Sequence, residues 1–403
     1  MIHKMNRLGC EENLKISKRY REILIASTKL GLTSFGGPTA HLGYFREEYV
    51  KKRKWLDDKL YADLVSLCQF LPGPASSQVG IAIGLLRGGI IGAILSWVGF
   101  TLPSVLILTL FAFISSSSAF DTEWITGLKI VAVAVVAHAL LGMGKSLTPD
   151  RQRLTIAILS ATLALLIPTA WGQMMIILAA GIAGILLVRH DETPDAIQFP
   201  PIGKKSAVTA LVLFFLLLLI LPILRTVIHS SHIALFDLFY RAGSIVFGGG
   251  HVVLPILERE IVPAGLMSAE TFLAGYGAAQ AVPGPLFTLA SYLGQIMDGT
   301  SGVLIATVAI FLPSFLLVIG ILPFWAIIRT KPVIQTALKG INAAVVGILL
   351  AALYDPVFVS AIQDKYDFIL AIIAFGLLSY YKIAPWIVVL TVAIAGAAVQ
   401  IWL

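Results

Sequence analysis

Phe35-Gly36-Gly37, followed by Gln69-Phe70-Leu71-Pro72-Gly73-Pro74, recurs in the same chain as Phe247-Gly248-Gly249, followed by Gln280-Ala281-Val282-Pro283-Gly284-Pro285. The register holds outside these words. Lys29 matches Arg241, Glu48 matches Glu260, Pro103-Ser104 matches Pro313-Ser314, and Leu128-Lys129 matches Leu338-Lys339. A repeat of roughly 210 residues is far longer than a solenoid unit, so it marks two copies of one domain. In apolar sequence, Gly/Pro interruptions at matching positions of two halves point to a transporter and to its binding site.

The surrounding sequence is that of a membrane protein. Hydrophobic residues make up 58% of the chain and charged residues 13%, against about 25% charge in a soluble domain. Mean hydropathy is +0.91. Runs such as 207–224 and 383–403 are long enough to cross about 30 Å of hydrocarbon as helices. The first 21 residues carry Lys4, Arg7, Lys15, Lys18, Arg19 and Arg21 without an apolar core, so they are not expected to act as a signal peptide. A net charge of +7 would suggest nucleic acid in a soluble protein. Here the positive-inside rule accounts for it, and no nucleic-acid partner is expected. Cys10 and Cys68 provide neither a disulfide framework nor a thiolate metal site.

Charge also sets the topology. Arg46, Lys51, Lys52, Arg53, Lys54 and Lys59 place the 46–59 loop in the cytoplasm, together with the basic N-terminal tail. The first arm between them, 23–35, spans about 20 Å at helical rise, too short to cross. Residues 22–45 therefore read as a re-entrant helix–break–helix hairpin with the FGG at its tip, and 60–87, broken at Pro72-Gly73-Pro74, reads the same way. Spans follow near 89–115, 124–145, 152–168 and 171–189. They put Ser115–Ser118 and Asp121 outside, and Lys145, Arg151, Arg153, Arg189, Lys204 and Lys205 inside.

A lone span at 207–228 has no counterpart in the other half and carries the chain across. The second copy then starts on the opposite face, and its 258–270 loop has Arg259 as its single basic residue. Spans near 302–327, 333–353, 366–380 and 384–402 complete it. The fold expected is an all-α polytopic membrane protein of two inverted-topology repeats with re-entrant, broken helices. Its parts are a cytoplasmic tail (1–21), a first repeat (22–190), a connecting loop with a linker helix (191–232) and an inverted second repeat (233–403). The expected location is the cell membrane, a prokaryotic inner or plasma membrane, with the N-terminus cytoplasmic.

Irregular backbone at membrane depth is tolerated only where it is buried in protein or lines a wet cavity. Helices should restart after Pro74 and Pro285, where a missing N–H does no harm. The unpaired N–H groups and positive dipole of such a first turn suit an anion. Ser76, Ser77 and Thr288 could add hydroxyl donors. Gly36, Gly37, Gly248, Gly249 and Gly250 allow close backbone approach and an anion-binding nest. Pro72, Gly73, Pro283 and Gly284 complete the two breaks, and Phe35 and Phe247 open the FGG words.

Lys29 and Arg241, each six residues before its phenylalanine, are candidate anion ligands, since ionisable residues at this depth are expensive. The plainer reading pairs Arg241 with Asp237 and lets Lys29 reach the interface. Lys129 and Lys339 are a second matched pair with a gating or coupling role. Glu48 and Glu260, at hairpin feet beside Arg46 and Arg259, read as salt-bridge or gate residues. Gln69 and Gln280 could present neutral donors to an anion. His251 and His41 flank the FGG tips at non-equivalent positions and could titrate near neutrality, although a satisfied buried imidazole is the commoner outcome. Pro103 and Pro313 are expected to kink their helices.

The FGGP and FGGGH words and both QxxPGP motifs, at the same spacing twice, give the chain a resemblance to the chromate ion transporter family in its long two-domain form, over about residues 20–400. That resemblance implies export of chromate from the cytoplasm, driven by the proton motive force, with sulfate as a related oxyanion. The partners are then a small oxyanion, protons and the lipid bilayer, with a homodimer left open. The residues point independently to a divalent tetrahedral anion, because they supply cations and helix ends and no acidic cage for a metal. Neither a cofactor nor a bound metal is expected. No HExxH and no paired acids mark an intramembrane enzyme, and an enzyme is not expected. A passive oxyanion channel or an importer of sulfate-type oxyanions on the same fold remain the alternatives.

Overall fold

The computed structural model describes residues 2–115, 123–188, 203–247 and 250–402, and every regular element among them is helical. The first repeat contains α1 (Ile2–Thr33), α2 (Gly37–Phe45), a π-helical turn (Arg46–Lys52), α3 (Asp58–Phe70), α4 (Ala75–Ser115), α5 (Glu123–Leu147), α6 (Arg151–Leu166) and α7 (Ala170–Leu187). The linker is α8 (Lys204–Val227). The second repeat contains α9 (Ser231–Ile245), α10 (Val253–Ile261), α11 (Ala269–Ala281), α12 (Leu289–Ile321), the short α13 (Trp325–Ile328), α14 (Pro332–Ala352), α15 (Val359–Ala361), α16 (Lys365–Ser379) and α17 (Pro385–Trp402). By length and composition, five helical segments among the described residues can cross a membrane: 75–115, 126–147, 204–227, 286–328 and 332–361.

Local chemistry fixes the element ends alike in both halves. Asp57 caps α3 by accepting from Leu60 N–H, and Ser268 caps α11 by accepting from Thr271 N–H. Both helices then run into a PGP sequence, where proline can neither donate to the helix nor fit its turn. Over 60–87 this gives the expected helix–break–helix.

Two expectations change. The tail and the first arm are one continuous helix, Ile2–Thr33, rather than a tail followed by a short arm. The non-helical dihedrals inside α4 and α12 fall at Gly88-Gly89 and Asp298-Gly299, while Pro103 and Pro313 stay within helical stretches. At these turns the chain doubles back on itself. Gly84 packs on Gly92 and Gly294 on Gly302, backbone against backbone, and Ser96 Oγ donates to Gly80 O at 2.8 Å. A left-handed glycine accomplishes the reversal that a proline cannot.

The halves are interlocked rather than merely adjacent. α5 of the first repeat packs on α16 and α17 of the second, α14 of the second packs on α6 and α7 of the first, and α4 packs on α12. One buried apolar cluster runs through both repeats. Large apolar side chains such as Leu106, Phe113, Leu186 and Leu219 stay exposed on the outside, as a surface bathed in hydrocarbon allows. The architecture is an all-α membrane protein of two inverted repeats with broken helices.

Candidate anion site at the crossed helix breaks

The two breaks cross between the repeats. Gly73 N–H of the first PGP donates to Val246 O, just before the second FGG, at 2.6 Å. Gly284 N–H of the second PGP donates to Ser34 O, just before the first FGG, at 2.9 Å. Both glycines have positive φ, 118° and 99°. A Cβ on Gly73 would lie 2.7 Å from both Gln78 Nε2 and Ser314 Oγ, and one on Gly284 would run into Ser104 Oγ. Ser104 Oγ donates to Pro283 O, and Gln78 Nε2 donates to Pro72 O at 2.6 Å. The matched Pro-Ser words thus place a serine from each half against the other half's PGP. The match is legible in the sequence, where it points only to proline kinks.

Helix α4 restarts at Ala75 as expected, and its first-turn N–H groups have no acceptor within the helix. Ser76 Oγ lies 3.3 Å from His41 Nδ1, and Ser77 Oγ is buried without a partner among the described residues. After Pro285 the chain takes a 3-10 turn, Leu286–Thr288. Thr288 turns its N–H and its hydroxyl back to Pro285 O, at 3.0 and 2.7 Å, so this hydroxyl proton is committed locally.

A small cavity sits where the first FGG tip meets the second PGP. Gly36, Gly37 and His41 line it from the first half, and His251, Gln280 and Gly284 from the second, with Pro385 also at its wall. Gln280 Nε2 is buried without a partner among the described residues. His251 Nδ1 lies 2.8 Å from Tyr276 Oη, and His41 stands edge-on to Phe100. Other predicted site residues fall elsewhere. Gln69 is exposed, not in the cavity. Phe35 packs on Trp386, Phe247 joins the apolar core, and Gly250 packs near Leu286. Gly248 and Gly249 lie outside the described residues, as do 116–122 and Arg189.

None of the matched cations lines this cavity. Lys29 Nζ binds Glu48 Oε2 at 2.7 Å. Arg241 binds Glu260 through two parallel bonds of 2.8 and 2.7 Å and also engages Asp237. The glutamates therefore partner the matched cations and not, as the sequence suggested, Arg46 and Arg259. Arg53 completes the Glu48 pair at 2.8 Å. Burial pushes the Glu48 carboxyl up, but the bonds from Lys29 and Arg53 outweigh it and hold the group below the usual carboxylate range. Lys129 lies in electrostatic reach of Glu270 at the start of α11, and Lys339 is half-buried on α14.

Sequence comparison decides what kind of protein this arrangement serves. The profile of the chromate transporter family matches twice, over residues 21–185 and 233–397. The chain belongs to the chromate transporter family. It is accordingly a membrane transport protein and not an enzyme. The chain is 28% identical to an uncharacterized transporter of Methanocaldococcus jannaschii, over 98% of this chain and 99% of that one. It is 27% identical to the chromate transport protein of Pseudomonas aeruginosa, over 94% and 92%. It is 28% identical to a probable chromate transport protein of Synechococcus elongatus, over 91% and 92%. No solved structure matches the chain.

Proposed function

We propose that this chromate transporter family protein carries chromate, and chemically similar dianions such as sulfate, across the cell membrane by secondary transport coupled to protons. The observation that carries this reading is the crossing of the breaks. The glycine backbone of the first FGG, the start of α2 at Gly37 and Gln280 Nε2, which has no partner among the described residues, converge at one cavity built from both repeats. Such donors suit an anion, and a site shared by inverted halves suits alternating access. The basic 46–59 loop supports a cytoplasmic N-terminus.

Two modes of coupling are open to such a carrier. Export driven by the proton motive force, the mode that the family resemblance implies, needs anion and proton to occupy the carrier alternately. Uptake needs them to occupy it together. The test is flux of labelled sulfate and chromate in proteoliposomes, with pH gradient and voltage imposed separately. Accumulation against the anion gradient, powered by either force, supports coupled transport. Flux that only dissipates the anion's own gradient indicates a channel.

A further inference from the structure

A dianion entering a low-dielectric cavity needs positive charge there, or it pays a desolvation penalty of many kcal/mol. Helix ends supply only about half an elementary charge each. Lys29 and Arg241 are engaged with Glu48 and Glu260 instead, and neither Lys129 nor Lys339 lines the cavity. The groups lining the cavity that can become cationic are His41 and His251, one from each half.

Resting on the oxyanion reading above, we propose that His41 and His251 are the proton-binding cations of the site, so that each anion is bound together with protons. The geometry suits this. Ser76 Oγ holds one nitrogen of His41, and Tyr276 Oη holds Nδ1 of His251. The His251 Nε2 then points toward the FGG tip, 3.9 Å from where a Cβ on Gly37 would stand. Among the described residues no carboxylate lines the cavity to hold an imidazolium in the anion's absence.

The groups facing these rings are few. His41 meets Ser76 and Phe100 of α4 and the Ser34 carbonyl. His251 meets Tyr276 of α11 and is in electrostatic reach of His138 on α5, whose Nδ1 is bound to Ser379 Oγ. Two imidazolium charges balance a dianion. The empty and loaded sites are then both electrically neutral, which lets each cross the apolar interface between the halves. Because linkage is reciprocal, protons that promote anion binding must be taken up when the anion binds. Proton and anion then move together without net charge, so the pH gradient and not the voltage couples to the flux.

Calorimetry with sodium sulfate tests this, since sulfate does not titrate between pH 5.5 and 8. Binding to purified full-length protein should tighten as pH falls, by up to about tenfold per pH unit for each proton linked. Addition of sulfate to lightly buffered protein should raise the pH of the medium. His41→Gln and His251→Gln should each remove part of the slope, and the double variant should bind weakly without pH dependence. His138→Gln should keep the slope. An unchanged slope in the single variants, or sulfate binding to the wild type without proton uptake, would overturn the histidine assignment while leaving the oxyanion site standing. The wild-type measurement decides even if the double variant fails to fold. Failure of both sulfate and chromate to bind at any pH would instead remove the oxyanion reading itself.

Discussion

Gly284 donates its N–H to Ser34 O across the repeat boundary, and the mirror of that bond joins Gly73 to Val246. The PGP breaks are therefore seams of the molecule as well as candidate seats for the anion. Each glycine N–H is already used by the other half's FGG approach. The free N–H groups lie in the turns that follow, Ala75–Ser77 in the first half and Leu286-Phe287 in the second, and of these Leu286 lines the cavity.

Gly284→Ala should be the more damaging of the two break substitutions. A left-handed L-residue costs roughly 1–2 kcal/mol, and its Cβ would also collide with Ser104, whose own Oγ holds Pro283 O. We expect normal membrane insertion, a lower melting midpoint in detergent and loss of sulfate binding. Gly73→Ala should act likewise, less severely, since the Gln78 amide end can shift. Wild-type melting and affinity in Gly284→Ala would show that this break neither seals the halves nor seats the anion.

The matched cations should behave as structural pairs. Arg241 is largely buried and held by two carboxylates, so Arg241→Gln leaves Glu260 uncompensated and Asp237 with Arg225 alone, at about 3–5 kcal/mol. Lys29 is half exposed, and Lys29→Gln should cost about 1 kcal/mol or less. The Arg241→Gln/Glu260→Gln double variant should recover much of the lost melting temperature, which a double-mutant cycle will read. Sulfate affinity should stay within about threefold in the Lys29→Gln protein. A tenfold loss there, with stability intact, would return Lys29 to the anion site.

Local rules made much of this architecture legible. Apolar length gave the spans, and PGP and FGG gave the breaks. The signal for the ion pairs was also present, since Lys29–Glu48 and Arg241–Glu260 share one separation of 19 residues. Each partner was matched to its repeat copy, but not to the residue beside it in space. The reversal at Gly88-Gly89 falls where the 60–87 hairpin was expected to give way to the 89–115 span, and Asp298-Gly299 makes the matching turn just before the span expected near 302. The convergence of His41 and His251 is a contact between halves at non-equivalent positions, which neither periodicity nor repeat register encodes.

Inversion of the repeats makes a claim about sides. The 46–59 loop is basic and 258–270 is not, so cysteines at Lys52 and Ala264, in a Cys10→Ser background, should react with an impermeant maleimide from opposite faces of oriented vesicles. Labelling of both from the same face would refute the inverted arrangement.

Among the described residues one ion pair joins the two repeats, and it reports on closure of the interface. Arg329 Nη1 donates to Asp63 Oδ1 at 2.7 Å, joining α3 of the first half to the end of α13 in the second. Both residues are more than nine-tenths buried. Phe70, further along α3, meets Trp325 edge-to-face, so the clasp has a charged and an aromatic part. Removing one charge leaves the other buried alone, at about 3–5 kcal/mol, and α3 should then part from the second half more often. Cys68 lies on α3 close to this clasp, fully buried as a free thiol. Arg329→Gln should therefore lower the melting midpoint and speed maleimide labelling of Cys68 by about tenfold or more. Asp63→Asn should do less, because the amide can still accept from the guanidinium. Unchanged Cys68 labelling in Arg329→Gln would mean that the pair does not hold α3 closed against the second repeat.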